Sequence, residues 1–146
     1  MKAAALAVTI AALGPTGFAP RSQDAEPAED PAAALRKVVD ANLAASNRED
    51  IDAILATLHP KSPGYAATKQ MTSVLIEQYD LEYKLNSFRY VGRDADYAIA
   101  RCSQDTTRKA GGEFRNNTVD VMHIFRKDGK DWKLWTTAIL DVKYAE

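Results

Sequence analysis

The chain has 146 residues, 46% hydrophobic and 27% charged, which is the make-up of one soluble globular domain with no room for a second core. Nineteen lysines and arginines face 20 aspartates and glutamates, with no run of five like charges, so neither a nucleic-acid arm nor a polybasic membrane anchor is expected. Cys102 is the single cysteine, which excludes an intramolecular disulfide.

The first residues stand apart. Lys2 supplies one positive charge, Ala3 to Leu13 is apolar except for Thr9, and Gly14, Pro15 and Gly17 then break any helix. That order is the layout of a secretory signal peptide over residues 1–25, with cleavage near Ala19 or Ala25. The apolar run is too short for a bilayer, which needs about twenty residues, so export to the periplasm or beyond is expected without a membrane span. "PRSQDAEPAEDP" follows, rich in proline, alanine and acids, and residues 26–31 read as a disordered tether ahead of a domain at 32–146.

From Ala32, the positions Leu35, Val38, Val39, Asn42, Leu43 and Ser46 share one helix face, with Pro31 placed to start it. Ser46-Asn47-Arg48-Glu49 has the form of a capping box, which would open a second helix on Ile51, Ile54, Leu55 and Leu58. His59-Pro60 ends it. A third helix is expected from Thr68 to Tyr79, with Met71, Val74, Leu75 and Gln78 or Tyr79 inward.

Beyond Asp80 the period becomes alternating, and four long strands are expected at Leu81–Val91, Ala95–Thr107, Phe114–Lys127 and Trp132–Tyr144. Gly92-Arg93-Asp94, Ala110 to Glu113 and Asp128-Gly129 mark the turns. Three helices followed by an antiparallel meander is an α+β layout with the helices on one sheet face. Ala98, Ala100 and Cys102 fall on one strand face, which makes the thiol a small core group rather than a reactive one.

A turn at Asp128-Gly129, or a four-residue loop to Asp131, puts Val119, Val121, His123, Phe125, Leu134, Ala138 and Leu140 on one face. Asp120, Met122, Ile124, Trp135, Thr137 and Ile139 fall on the other, and only a three-residue or bulged connection would change this. Both faces are apolar, so each needs a cover. The helices supply one, and a second copy of the chain is expected on Met122, Ile124, Trp135 and Ile139, making a homodimer.

The segment "SPGYAATKQMTSVLIEQYDLEYKL" leading into the first strand, with the C-terminal "FRKDGKDWKLW" hairpin, resembles the nuclear transport factor 2-like superfamily, which includes the SnoaL-like domains. The resemblance covers about residues 31–144. It implies a cone-shaped α+β fold, in which the three N-terminal helices pack in the concavity of a curved sheet beside a pocket. It also implies isomerases, dehydratases, cyclases and non-catalytic binding modules as relatives, so fold alone does not choose an activity.

His123 lies on the face taken as concave, where an imidazole could act as a base or serve as a hydrogen-bonded ligand contact. Tyr65, Tyr79, Tyr83, Tyr90 and Tyr97 are candidate phenolic donors to a bound molecule, as tyrosines are in some pockets of the superfamily, or packing residues. Arg101 and Asp105 share a strand face and either line the cone's mouth or form a rim ion pair. His59 before Pro60 is poor ground for a second catalytic histidine. Without a phosphate loop, a metal-ligand cluster or a nucleophile elbow, no cofactor and no metal is expected. The reading favoured is an exported cone domain that binds a small, largely apolar molecule or a partner without turnover. The rivals are a cofactor-free acid–base enzyme using His123 and a structural dimer with a filled cone.

Overall fold

The computed structural model describes residues 29–146; the expected signal peptide, and the expected tether up to residue 28, lie outside the described residues. Helix α1 spans Pro31–Asn47 and is capped by Asp30, whose carboxylate accepts from the Ala32 N–H at 3.1 Å. Pro31 is the first helical residue, where the sequence placed the helix start. Leu35, Val39 and Leu43 bury the inner face of α1.

The capping box at Ser46 is not formed. Helix α1 runs through Ser46, whose hydroxyl donates to the Asn42 carbonyl at 2.9 Å. Helix α2, Ile51–Ala56, is capped instead by Asp50, which accepts from the Ala53 N–H. Between the helices, the Asp50 N–H reaches the Ala45 carbonyl and the Glu49 N–H reaches the Ser46 carbonyl, both at 3.0 Å. This is a Schellman motif, and its left-handed residue is Glu49 at φ 57°. Helix α3 spans Tyr65–Gln78. Its inner side is Thr68, Thr72, Leu75 and Ile76, whereas Met71 and Val74, expected inward, are 65% and 42% exposed.

Strands β1 (Tyr79–Arg93), β2 (Tyr97–Gly111), β3 (Asn117–Asp128) and β4 (Asp131–Tyr144) form one antiparallel sheet in sequence order. Three helices followed by a four-stranded curved sheet is the expected α+β cone. Gly111, at φ 101°, sits where an added Cβ would lie 2.4 Å from the Gln78 carbonyl oxygen, so only glycine lets the β2 end cross the α3–β1 junction.

The core lies between α1 and the inner sheet face. Leu35, Val39 and Leu43 meet Ala98, Ala100, Cys102, Val121, Phe125, Trp132 and Leu134. The alanines let the helix approach β2, and burial pushes the Cys102 thiol up to about 11, which keeps it protonated and inert.

Each edge strand is tied down at one point, which satisfies part of its free backbone edge. The Asn47 side chain bonds both backbone groups of Tyr83 on β1, at 2.7 and 2.9 Å. On β4, the Leu134 N–H donates to the Thr57 carbonyl and its own carbonyl accepts from the His59 N–H, while the Ser62 hydroxyl donates to the Trp135 carbonyl. His59 is buried there as a structural link, accepting from the Lys61 N–H and lying 3.2 Å from the Lys127 carbonyl.

Candidate functional site

The β3–β4 register decides what faces the concavity. At the hairpin end Asp128 pairs with Asp131 and Phe125 with Leu134, and beyond that point Ile124 pairs with Thr136 and His123 with Thr137. Trp135 is therefore the extra residue of a β-bulge, and a second shift follows between Asp120 and Val121. A one-residue slip reverses the side chains that follow, here as far as the second shift. Thr137, expected on the outer face, lies beside His123, and Ala138, expected inside, pairs with Met122 on the outer face.

The same slip corrects the expected subunit patch. Ile139 pairs with Val121, so it leaves the face that carries Met122 and Ile124, and the four residues do not form one continuous surface. Trp135 is held at the bulge by the His59 ring, by Tyr97 and by the Arg126 guanidinium, 4.6 Å from its ring centre.

A cavity of about 380 Å³ lies between the helices and the inner sheet face. Leu43, Ile54, Leu58, Leu75, Ile76, Leu81 and Leu134 give it apolar walls. Asn42, Ser46, Thr68, Thr72, Tyr79, Tyr83, Gln104, His123 and Thr137 supply neutral polar groups, and Glu49 is its only charged residue among the described lining. This is the mixture of an apolar site with a few orienting polar groups.

His123 is 7% exposed, with its ring edge-on to Phe125. Its Nδ1 shares a 2.8 Å hydrogen bond with the Thr137 hydroxyl. Among the described residues no buried side-chain nitrogen or oxygen lacks a partner, and Nε2 makes no other bond, so Nε2 is the ring atom open to the cavity. Burial lowers the imidazole from its ordinary 6.5 to about 4. A histidine so hard to protonate is a weak proton acceptor, and no carboxylate bonds to it to steady an imidazolium. It is fitted to donate or accept a hydrogen bond with a guest.

Of the other expected site residues Tyr79 and Tyr83 line the cavity; burial raises the Tyr83 phenol above the ordinary value, keeping it a donor. Tyr65 starts α3 outside the lining. Tyr97, Arg101 and Asp105 are corrected to the outer sheet face, because they alternate with the inward Ala98, Ala100 and Cys102. Arg101 Nε donates to Asp120 at 2.9 Å, and Asp105 accepts from Thr118 and Asn86, bonds that hold its carboxyl below the usual range.

The sequence had one usable signal for the missed lining residues. Asn42 and Ser46 already shared the α1 face with Leu35 and Leu43, and polar groups on a buried face need partners or a cavity. Thr72, Gln104 and Thr137 carried no such mark. Among the described residues no group of three or more histidines, cysteines and carboxylates is placed to hold a metal. No described helix is long and apolar enough to cross a membrane.

The family model described as anti-sigma-I factor RsgI9, C-terminal domain, matches residues 37–145. No curated protein gives a match. Among solved structures, a ketosteroid isomerase-like protein from Erwinia carotovora atroseptica is 23% identical, with 77% of this chain and 98% of that one aligned at a TM-score of 0.57. A nuclear transport factor 2-like protein of unknown function from Pseudomonas putida is 13% identical over 74% and 84% of the two chains, at 0.62. A nuclear transport factor 2-like protein with a cystatin-like fold from Novosphingobium aromaticivorans is 16% identical over 75% and 81%, at 0.56. At these identities the likeness is one of fold.

Proposed function

Given that the chain belongs to the RsgI9 C-terminal domain family and has the nuclear transport factor 2-like fold, we propose that it is an exported domain that holds a small, largely apolar molecule in its cone and releases it unchanged. The observation that carries this reading is His123: a neutral imidazole bordering a cavity of about 380 Å³, with a hydroxyl and no carboxylate as its partner. The open cavity stands against a filled cone. A family described from a domain of an anti-sigma factor agrees with binding as the end in itself. Export rests on the N-terminal sequence pattern.

The acid–base reading draws on the name of the isomerase-like neighbour, and the low basicity of His123 weighs against it. A thermal-shift screen of the purified chain against sterols, lipids, aromatic alcohols and amines tests binding. A ligand at about one hundred times its Kd should add about 2.7 kcal/mol, a rise of several degrees. A flat response across the whole panel would remove the proposal. Turnover of any hit, abolished by His123→Asn, would replace it with the enzyme reading.

Pairing of two copies across Met122 and Ile124 belongs to the same proposal, supported by their apolar outward placement on adjacent positions of that face. Light scattering at micromolar concentration should return twice the chain mass, and a monomer ends that part.

A further inference from the structure

Glu49 occupies an unfavourable place for a glutamate. It is the left-handed residue of the Schellman motif that ends α1, where glycine is the usual residue, and it is the only non-glycine residue with positive φ among those described. Side chains other than glycine are strained there, and such strain gathers at functional positions. Glu49 is exposed at the rim of the cavity, forms no ion pair among the described residues, and is the single charged residue of the lining.

Every other polar group of that lining is neutral, including His123, and no lysine or arginine is present to receive an anion. A carboxylate guest would have to leave water with no cation to meet it and with Glu49 repelling it. An ammonium on the same apolar frame would find Glu49 as its partner.

We infer that Glu49 is a specificity-determining residue, and that the cavity takes amine-bearing ligands in preference to their carboxylate analogues. This rests on the binding role proposed above and adds the sign of the ligand's charge. Discrimination by an exposed carboxylate is modest and salt-dependent, about tenfold at low ionic strength.

The test uses matched probes on one frame: tryptamine, tryptophol and indole-3-acetate, with decylamine, decanol and decanoate as a second set, titrated into the full chain by calorimetry at pH 7. The amine should bind about tenfold more tightly than the acid, with the alcohol between them. In Glu49→Gln and Glu49→Gly the amine-to-acid ratio should fall at least to about threefold, while the alcohol's affinity holds. Glu49→Gly should also melt no lower than the wild type, because glycine accepts the left-handed backbone, whereas a purely structural glutamate would cost stability when removed. Equal affinity for amine and acid in the wild type, or a ratio untouched by both variants, overturns the assignment and leaves the binding role standing. Failure of all six probes overturns the assignment, and a flat response across the wider thermal-shift panel as well overturns the binding role.

Discussion

Lowering the pH from 7 to below 4 is expected to cost the wild-type protein about 3 kcal/mol more unfolding free energy than it costs the His123→Asn variant. Burial holds the folded imidazole near 4, against 6.5 when exposed. Between those values the unfolded chain binds a proton that the folded chain refuses. Stability from the neutral ring is therefore complete above the unfolded value and is lost as the pH falls through the folded one. Asparagine is also neutral and polar but does not titrate, so the two proteins should differ in pH dependence even if they differ in stability at pH 7. Half-buried carboxylates such as Asp105 and Asp120, held below the usual range by their hydrogen bonds, add to acid sensitivity, but equally in both, so the difference isolates residue 123. Urea unfolding at pH 7, 5.5 and 4 measures it. Parallel losses in the two proteins would show that the ring is not held neutral by burial.

The largest loss at constant pH should come from Phe125→Ala, at about 3–5 kcal/mol. Phe125 is fully buried on β3, paired with Ala98 on one side and Leu134 on the other, under Leu35 and Val39 of α1. Ala98 has only a methyl group, which cannot turn into the vacated volume, so the cavity persists and the lost contacts are not regained. Against a total stability of roughly 5–15 kcal/mol this is a large fraction, and the melting temperature should fall by about 10–20 °C. Val91→Ala, at a residue 47% exposed, should stay within about 0.5 kcal/mol. A Phe125→Ala loss below about 1 kcal/mol would mean that the core is looser than its burial implies.

The elements themselves were legible because their signals are local. Leu35, Val39 and Leu43 at helical spacing, the change to alternation after Asp80, and the inward alignment of Ala98, Ala100 and Cys102 all survive in the fold. The expected cap at Ser46 was the first point of failure. The structure caps α2 with Asp50 instead, because α1 continues through Asn47 and ends in a Schellman turn. The candidate site was legible only in part: His123 and Tyr83 line the cavity, whereas Tyr97, Arg101 and Asp105 are turned away by the alternation of β2.

What the sequence by itself determined is the order of three helices and four strands, the inward face of α1 and the inward placement of His123, since periodicity depends on near neighbours alone. What only the tertiary structure decided is the partner of that histidine. The bulge at Trp135 brings Thr137 to the inner face, and no residue of β4 announces it. It lies where Thr57, His59 and Ser62 bond the edge of the strand, the last of these a contact spanning 73 residues. Such a shift depends on how distant segments pack, so it leaves no period in the chain. By deciding which hydroxyl meets the histidine, it also decides that His123 borders a cavity with a neutral neighbour in place of a charged one.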